Sequence, residues 1–361
     1  MIDETVEKKI VSIVGARPNF IKCAPLSREM RKEFDEILIH TGQHYDYEMN
    51  KVFFDELRIP EPNYHLDVGS GSHGVQTGEM LKRIEKVLMK EKPDLVLVFG
   101  DTNTTLAGAL AASKLHIKVG HVEAGLRSFD RLMPEEINRL LTDHCSDLLF
   151  CPTKTAVENL KREGINRGIH LTGDVMVDAL KENIEIGEKR SKILDELNLK
   201  QKDYYLATLH RAKNTDDFER LKNITDAFCE IGDLVFSCHP RTEKMLKNFN
   251  LWAKLTRKIK VIKPVGYLDM LILEKNAKKI LTDSGGIQKE AYIFEVPCVT
   301  LRETTEWVET VEDGWNVLAG VDKEKIVKMV NGFEPARKQR DVFGNGCASE
   351  RIGEIIGGEL Q

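Results

Sequence analysis

The chain reads as a two-domain α/β protein, built on doubly wound parallel sheets that face each other across a cleft. Three observations predict this. Short β-branched runs alternate with amphipathic stretches from end to end, and many of the runs are apolar on both faces, as suits parallel strands covered by helices on each side. At 361 residues the chain exceeds what one core usually serves. A charged, helix-periodic composition shift, "KENIEIGEKRSKILDELNLKQKD", interrupts the alternation at residues 181–203 and is followed by a fresh strand pattern.

The first half offers the strands "KKIVSIVG", "FDEILIHTG", "DLVLVFGD", "IKVGHVEA", "DLLFCPT" and "IHLTGD". Helical patterns at 75–90, 104–115 and 155–163 lie between them, as in βαβ units. The second half offers "YYLATLH", "DLVFSCHP", "IKVIKP", "KKILTDSGG" and "VPCVTL". The spacing therefore predicts a Rossmann-like domain over 1–178 that carries a carboxylate cluster. A second Rossmann-like domain follows over 179–345, and a helix over 346–361, containing "ASERIGEIIGG", crosses back onto the first.

The charges nearly balance, 53 Lys and Arg against 58 Asp and Glu, for a net charge of −5. That argues against a nucleic-acid partner while leaving room for a local anion pocket. No apolar run approaches the roughly 20 residues of a membrane span, and the charged start at 1–9 is unlike a secretory signal. Seven scattered cysteines without a CxxC pair predict reduced thiols and no metal site, in a cytoplasmic protein.

In doubly wound sheets ligands bind beyond the carboxyl ends of the strands, so the residues just after each apolar run carry the functional information. After the first strand, "GARPNFIK" places Arg17 and Lys22 near a helix N-terminus, where they suit an anion. It is not GxGxxG, so a tightly held dinucleotide is not expected. "GDTNTTLAGALAASKL" sets Asp101 after a wholly apolar run, with Thr102 or Asn103 able to cap the following helix. In "HVEAGLRSFDRLMPEEINR", Glu123 ends a strand and Pro134 opens a helix. Glu135, Asn138 and Arg139 share a face of that helix, so Arg139 is expected to hold Glu135, and Glu136 is an ordinary dipole complement. Asp101, Glu123 and a glutamate of that helix form a carboxylate cluster fit for proton transfer or for stabilising positive charge.

"LTDSGGIQKEA" is the strongest single signal. Ser284 caps a helix, and Gly285 and Gly286 let main-chain N–H groups reach a diphosphate at the positive end of the helix dipole. Glu290 lies where it could accept hydrogen bonds from a ribose. His210 and Arg211, at the end of "YYLATL", would add donors to the same phosphates, and Tyr267 could form part of a wall for a base.

These motifs together resemble the non-hydrolysing UDP-N-acetylglucosamine 2-epimerases. "GARPNFIK", "TGQHYD", "GDTNTTLAGALAA", "HVEAGLRS", "PEEINR", "HR", "TDSGGIQKEA" and "GCASER" follow in the family's order over nearly the whole chain. The resemblance implies a glycosyltransferase-B (GT-B) type fold and an isomerase that interconverts UDP-GlcNAc and UDP-ManNAc. UDP would be eliminated to give 2-acetamidoglucal and then added back, with no cofactor, in a homodimer serving polysaccharide biosynthesis. It carries catalytic roles onto Asp101, Glu123, Glu135 and His210. Substrate contacts fall on Arg17, Lys22, Arg139, Tyr267, Ser284, Gly285, Gly286, Glu290 and, in "TLRETTEW", Arg302. Gln43 and His44 match a region near a second, regulatory UDP-GlcNAc site. A hydrolysing 2-epimerase, a GT-B glycosyltransferase and an inert nucleotide-sugar sensor are the competing readings.

Overall fold

A computed structural model of the chain describes residues 8–42 and 59–360. The chain divides into two compact units, one formed by residues up to Glu182 together with those from Asp341, the other by Asn183–Arg340. The first break falls inside one continuous helix, Val175–Arg190, so the charged stretch there is no loose linker.

The first unit contains strands β1 (Lys9–Val14), β2 (Asp35–His40), β3 (Tyr64–His65), β4 (Leu95–Phe99), β5 (Lys118–Val122), β6 (Leu148–Cys151) and β7 (Ile169–Leu171). They form one parallel sheet in the order β3-β2-β1-β4-β5-β6-β7. Its helices are α1 (Arg17–Met30), α2 (His73–Glu91), α3 (Asn103–Lys114), α4 (Pro134–Cys145), α5 (Lys154–Arg162) and the first half of α6 (Val175–Arg190). Alanines along α3 let it lie close on β1, β4 and β5 and against α2.

The second unit contains β8 (Tyr205–Leu209), β9 (Leu234–Cys238), β10 (Lys260–Ile262), β11 (Lys279–Thr282), β12 (Cys298–Thr300) and β13 (Asn316–Leu318). This sheet is also parallel, in the order β10-β9-β8-β11-β12-β13. After α7 (Ile193–Glu196), its helices are α8 (Ala212–Thr215), α9 (Phe218–Ile231), α10 (Pro240–Asn248), α11 (Trp252–Thr256), α12 (Tyr267–Asn276), α13 (Gly285–Ile293), α14 (Val308–Glu312) and α15 (Lys323–Gly332). The helix α16 (Ala348–Leu360) belongs to the first unit, where it packs on α1.

Two-sided burial explains why the strand runs are apolar throughout. Leu206, Val235, Ile280 and Cys298 enter one core of the second unit with Leu273 and Ala291. Their strand neighbours Ala207, Phe236, Leu281 and Val299 enter the opposite core with Leu221, Phe228, Ile326 and Val330. Each sheet reverses its winding at one place, between β1 and β4 in the first unit and between β8 and β11 in the second. Ligands of such sheets bind outside the strand ends at that reversal. Gly15, Gly100 and Asp101 stand there in the first unit, and His210, Asp283 and Ser284 in the second. Among the described residues, no helix is long and apolar enough to cross a membrane, and no group of His, Cys, Asp and Glu is arranged to hold a metal.

Candidate active site

In the first unit, Glu123 follows directly on β5 with its backbone at φ +74°. Side chains with a Cβ rarely adopt this left-handed conformation, and it is held here by context. The N–H groups of Glu123 and Ala124 both donate to the Phe150 carbonyl, at 3.1 Å each. The buried carboxylate meets the Lys22 ammonium, which α1 delivers from the connection between β1 and β2. Gly100 makes room for this pair. A Cβ on it would lie 2.7 Å from Lys22 Nζ and 3.2 Å from Glu123 Oε2, at a φ of +65°.

Asp101 is about a third exposed, at 31%, and is fixed from behind by Arg139 of α4. Arg139 Nε and Nη2 both reach Asp101 Oδ2, at 3.1 and 3.0 Å. The other guanidinium arm pairs with Glu136. Glu136 in turn accepts from the Ser128 and Phe129 N–H groups, at 2.9 Å each, and from the Ser128 hydroxyl at 3.0 Å. Asn138 donates to the Asp101 carbonyl at 2.9 Å. Two carboxylates at the ends of adjacent strands are thus each held by a buried cation of their own. Glu135, half-buried in the first turn of α4, has no side-chain partner among the described residues.

In the second unit, Ser284 caps α13 and its hydroxyl accepts from the Ile287 N–H. Gly285 and Gly286 form the first turn of that helix. A Cβ on Gly285 would lie 2.1 Å from Glu306 Oε1, whereas one on Gly286 would meet only Ser284 Oγ at 3.8 Å. The first glycine therefore admits Glu306, and the second keeps the helix end open. Glu306 is paired with Arg302 at 2.8 Å. The fully buried Asp283 organises the facing strand end. Its carboxylate accepts from the main-chain N–H groups of His210 (3.1 Å) and Arg211 (3.0 Å), from Asn214 Nδ2 (3.1 Å) and from the His210 ring at Nδ1 (3.1 Å). Burial opposes its ionisation, but His210 and Arg211 outweigh burial and hold the carboxyl below the usual range. With Nδ1 given to Asp283, the half-exposed His210 keeps Nε2 for a ligand.

The family model described as UDP-N-acetylglucosamine 2-epimerase matches residues 27–357. The chain belongs to the UDP-N-acetylglucosamine 2-epimerase family. It is 63% identical over 353 residues to the UDP-N-acetylglucosamine 2-epimerase homolog of Methanococcus maripaludis, covering 96% of this chain and 99% of that one. It is 48% identical over 359 residues to the UDP-2,3-diacetamido-2,3-dideoxy-D-glucuronate 2-epimerase of Pseudomonas aeruginosa, covering 96% and 99%. The crystal structure of the Methanocaldococcus jannaschii UDP-GlcNAc 2-epimerase in complex with UDP-GlcNAc and UDP is similar at a TM-score of 0.92 and 55% identity, over 97% of this chain and 99% of that one. The fold is accordingly of the GT-B type, with two parallel-sheet domains.

Measured against this 2-epimerase geometry, several sequence expectations change. Arg139 does not hold Glu135; it bridges Asp101 and Glu136, because the i+3 neighbour faces the buried side of α4. Glu136 is therefore more than a dipole complement. Lys22 is turned to Glu123, and Arg302 to Glu306. Tyr267 opens α12 as a buried residue, and its hydroxyl donates to Glu290 Oε1 at 3.1 Å. Its ring offers no exposed wall for a base; it steadies the carboxylate expected at the ribose. Arg17 is the first residue of α1, while Gln43 and His44 lie outside the described residues. Sequence reasoning missed Glu136, Asp283 and Glu306 as organisers. Glu136 lies three residues from Arg139, Glu306 lies four from Arg302, and Asp283 directly follows the β11 run, but none of these positions names the role by itself.

Proposed function

We propose that this 2-epimerase is of the non-hydrolysing type and interconverts UDP-GlcNAc and UDP-ManNAc. The observation that carries the reading is the pair of strand-end carboxylates in the first unit, Asp101 and Glu123, each anchored by its own buried cation. The C2–H of an N-acetyl sugar is far from acidic, so direct abstraction by a carboxylate is slow. If the C1–O bond to UDP breaks as the C2 proton leaves, the ring passes through an oxocarbenium-like state in which that proton is acidic. The products are UDP and 2-acetamidoglucal. Addition of the UDP oxygen back to C1, with a proton delivered to the opposite face of C2, completes the inversion.

The assignment of parts follows from charge. The open end of α13 at Ser284–Gly286 and the Nε2 of His210 take the growing diphosphate charge. Arg17 opens α1 in the first unit, while Lys22, paired with Glu123, holds that carboxylate in place. Glu290, steadied by Tyr267, accepts from the ribose. Asp101 and Glu123, with Glu135 free to move a proton, serve the hexose.

The test supplies UDP-GlcNAc in deuterated water without acceptor or NAD. The expected product is UDP-ManNAc with deuterium at C2. Free ManNAc and UDP would show a hydrolysing enzyme, and an untouched C2 proton would refute the epimerase reading for this sugar. The relative that acts on a diacetamido-glucuronate makes UDP-2,3-diacetamido-glucuronate the second substrate to try. Asp101→Asn and Glu123→Gln should each lower turnover by about a hundredfold or more while UDP binding persists.

A further inference from the structure

Behind the two carboxylates lies a buried group to which the reaction assigns no part. His121 sits in β5, completely buried, with Val98 of β4 and Leu149 of β6 as its strand partners. Its Nε2 lies 2.7 Å from the Gly100 carbonyl oxygen, and its Nδ1 lies 2.6 Å from Asp143 Oδ1. A carbonyl oxygen can only accept, so Nε2 carries a hydrogen. Asp143 already accepts from Arg127 Nη1 at 2.7 Å and from the Gly125 N–H at 3.2 Å, as a carboxylate does, so Nδ1 carries one too. Burial alone would push the Asp143 carboxyl up, but His121 and Arg127 outweigh burial and hold it down. Both ring nitrogens thus face acceptors, and the geometry calls for a ring that donates at both ends.

What it ties together is the reacting constellation. Gly100 immediately precedes Asp101, and its N–H also donates to the Val122 carbonyl at 3.0 Å. His121 is two residues before Glu123. Asp143 sits on α4, one turn beyond Arg139, and also holds the turn at Gly125. The strand end bearing Asp101, the strained turn bearing Glu123 and the helix bearing Glu135 and Arg139 therefore meet at one ring. Arg127 extends the network to Glu163, with Nε 2.7 Å and Nη2 2.6 Å from its two oxygens.

We propose that His121 is a positioning residue, a doubly hydrogen-bonded imidazolium that sets the mutual placement of Asp101, Glu123 and α4. This rests on the epimerase reading for its effect on turnover, though not for the state of the ring. An apolar ring of similar size could fill the same space, so packing alone does not call for this charge in a core.

Two measurements decide it. In 15N-histidine protein without substrate, one histidine should show two protonated ring nitrogens with slowly exchanging N–H signals, lost in His121→Gln. Turnover is then compared in His121→Gln and Asp143→Asn, per folded molecule as judged by circular dichroism and UDP stoichiometry. Turnover should fall by about 10- to 100-fold with KM little changed, and His121→Phe, which keeps no donor, should fall further than His121→Gln. A ring with one protonated nitrogen, or wild-type turnover in folded His121→Phe, overturns the proposal. Deuterium incorporation by the wild-type enzyme tests the epimerase reading by itself, and the ring signature stands or falls with or without it.

Discussion

Replacing Glu136 by glutamine preserves shape and removes one charge, and the structure says where the cost falls. Oε1 accepts from the Phe129 N–H, while Oε2 accepts from the Ser128 N–H, the Ser128 hydroxyl and Arg139. A glutamine can keep its oxygen on the busier side. Its NH2 then faces the Phe129 N–H, donor against donor, at a position only 1% exposed where water cannot substitute. One buried unmet donor costs about 1–3 kcal/mol, and turning the charge-assisted bond to Arg139 into a neutral one removes about 1 more. The sum is about 2–4 kcal/mol, too little to unfold a typical domain but enough to free the 128–129 segment. Hydrogen exchange there should accelerate by about 30- to 700-fold if the opening is local. Turnover should also fall, because Arg139 loses one of the anchors that hold it against Asp101. All three tryptophans, Trp252, Trp307 and Trp315, lie within Asn183–Arg340, so tryptophan fluorescence serves as a silent control. Unchanged exchange at 128–129 together with wild-type turnover would refute the chain of contacts drawn from Phe129 to Asp101.

Gly100→Ala puts a methyl 2.7 Å from Lys22 Nζ in a left-handed backbone. It should cost about 1–2 kcal/mol in stability and, by displacing Lys22 from Glu123, about a hundredfold in turnover; UDP titration calorimetry should read wild-type affinity. Asp283 supplies a pH dependence. Its folded carboxyl titrates below the unfolded value of about 3.9, so the stabilisation is complete above that value and fades as pH falls through the folded one. Tryptophan fluorescence should therefore report acid unfolding of the second unit below about pH 4, with a shallower pH slope in Asp283→Asn. An identical slope in the variant would remove Asp283 from the acid response.

The sequence was most legible where a feature is decided locally. The strand runs follow from burial on both faces, Thr102 and Ser284 cap the helices they precede, and Pro134 takes the first position of α4. Two short strands escaped notice. β3 has two residues, a partly buried tyrosine and an exposed histidine, and β13 opens on a buried asparagine followed by only two partly buried apolar residues, so no apolar run marks it. Partnerships were least legible. Lys22 and Glu123 are 101 positions apart, and Arg139 and Asp101 are 38 apart; nothing near either residue names its partner. A cation in the first turns of a helix reads as an anion site in sequence, and only the fold shows that a carboxylate of the same chain reaches it.

Glu123 also shows why propensity could not have found the site. A glycine would adopt φ +74° freely, whereas a glutamate held there carries about 1–3 kcal/mol of backbone strain. The position is preceded by an apolar strand and followed two residues later by Gly125, itself at φ +80°, so the turn already has a glycine suited to its geometry. The strain is therefore not the by-product of a poor turn. It is tolerated because two main-chain N–H groups, Lys22 and the space left by Gly100 over-determine the conformation. A glutamate is kept where a glycine would cost least, and its rigid surroundings fix where the carboxylate points.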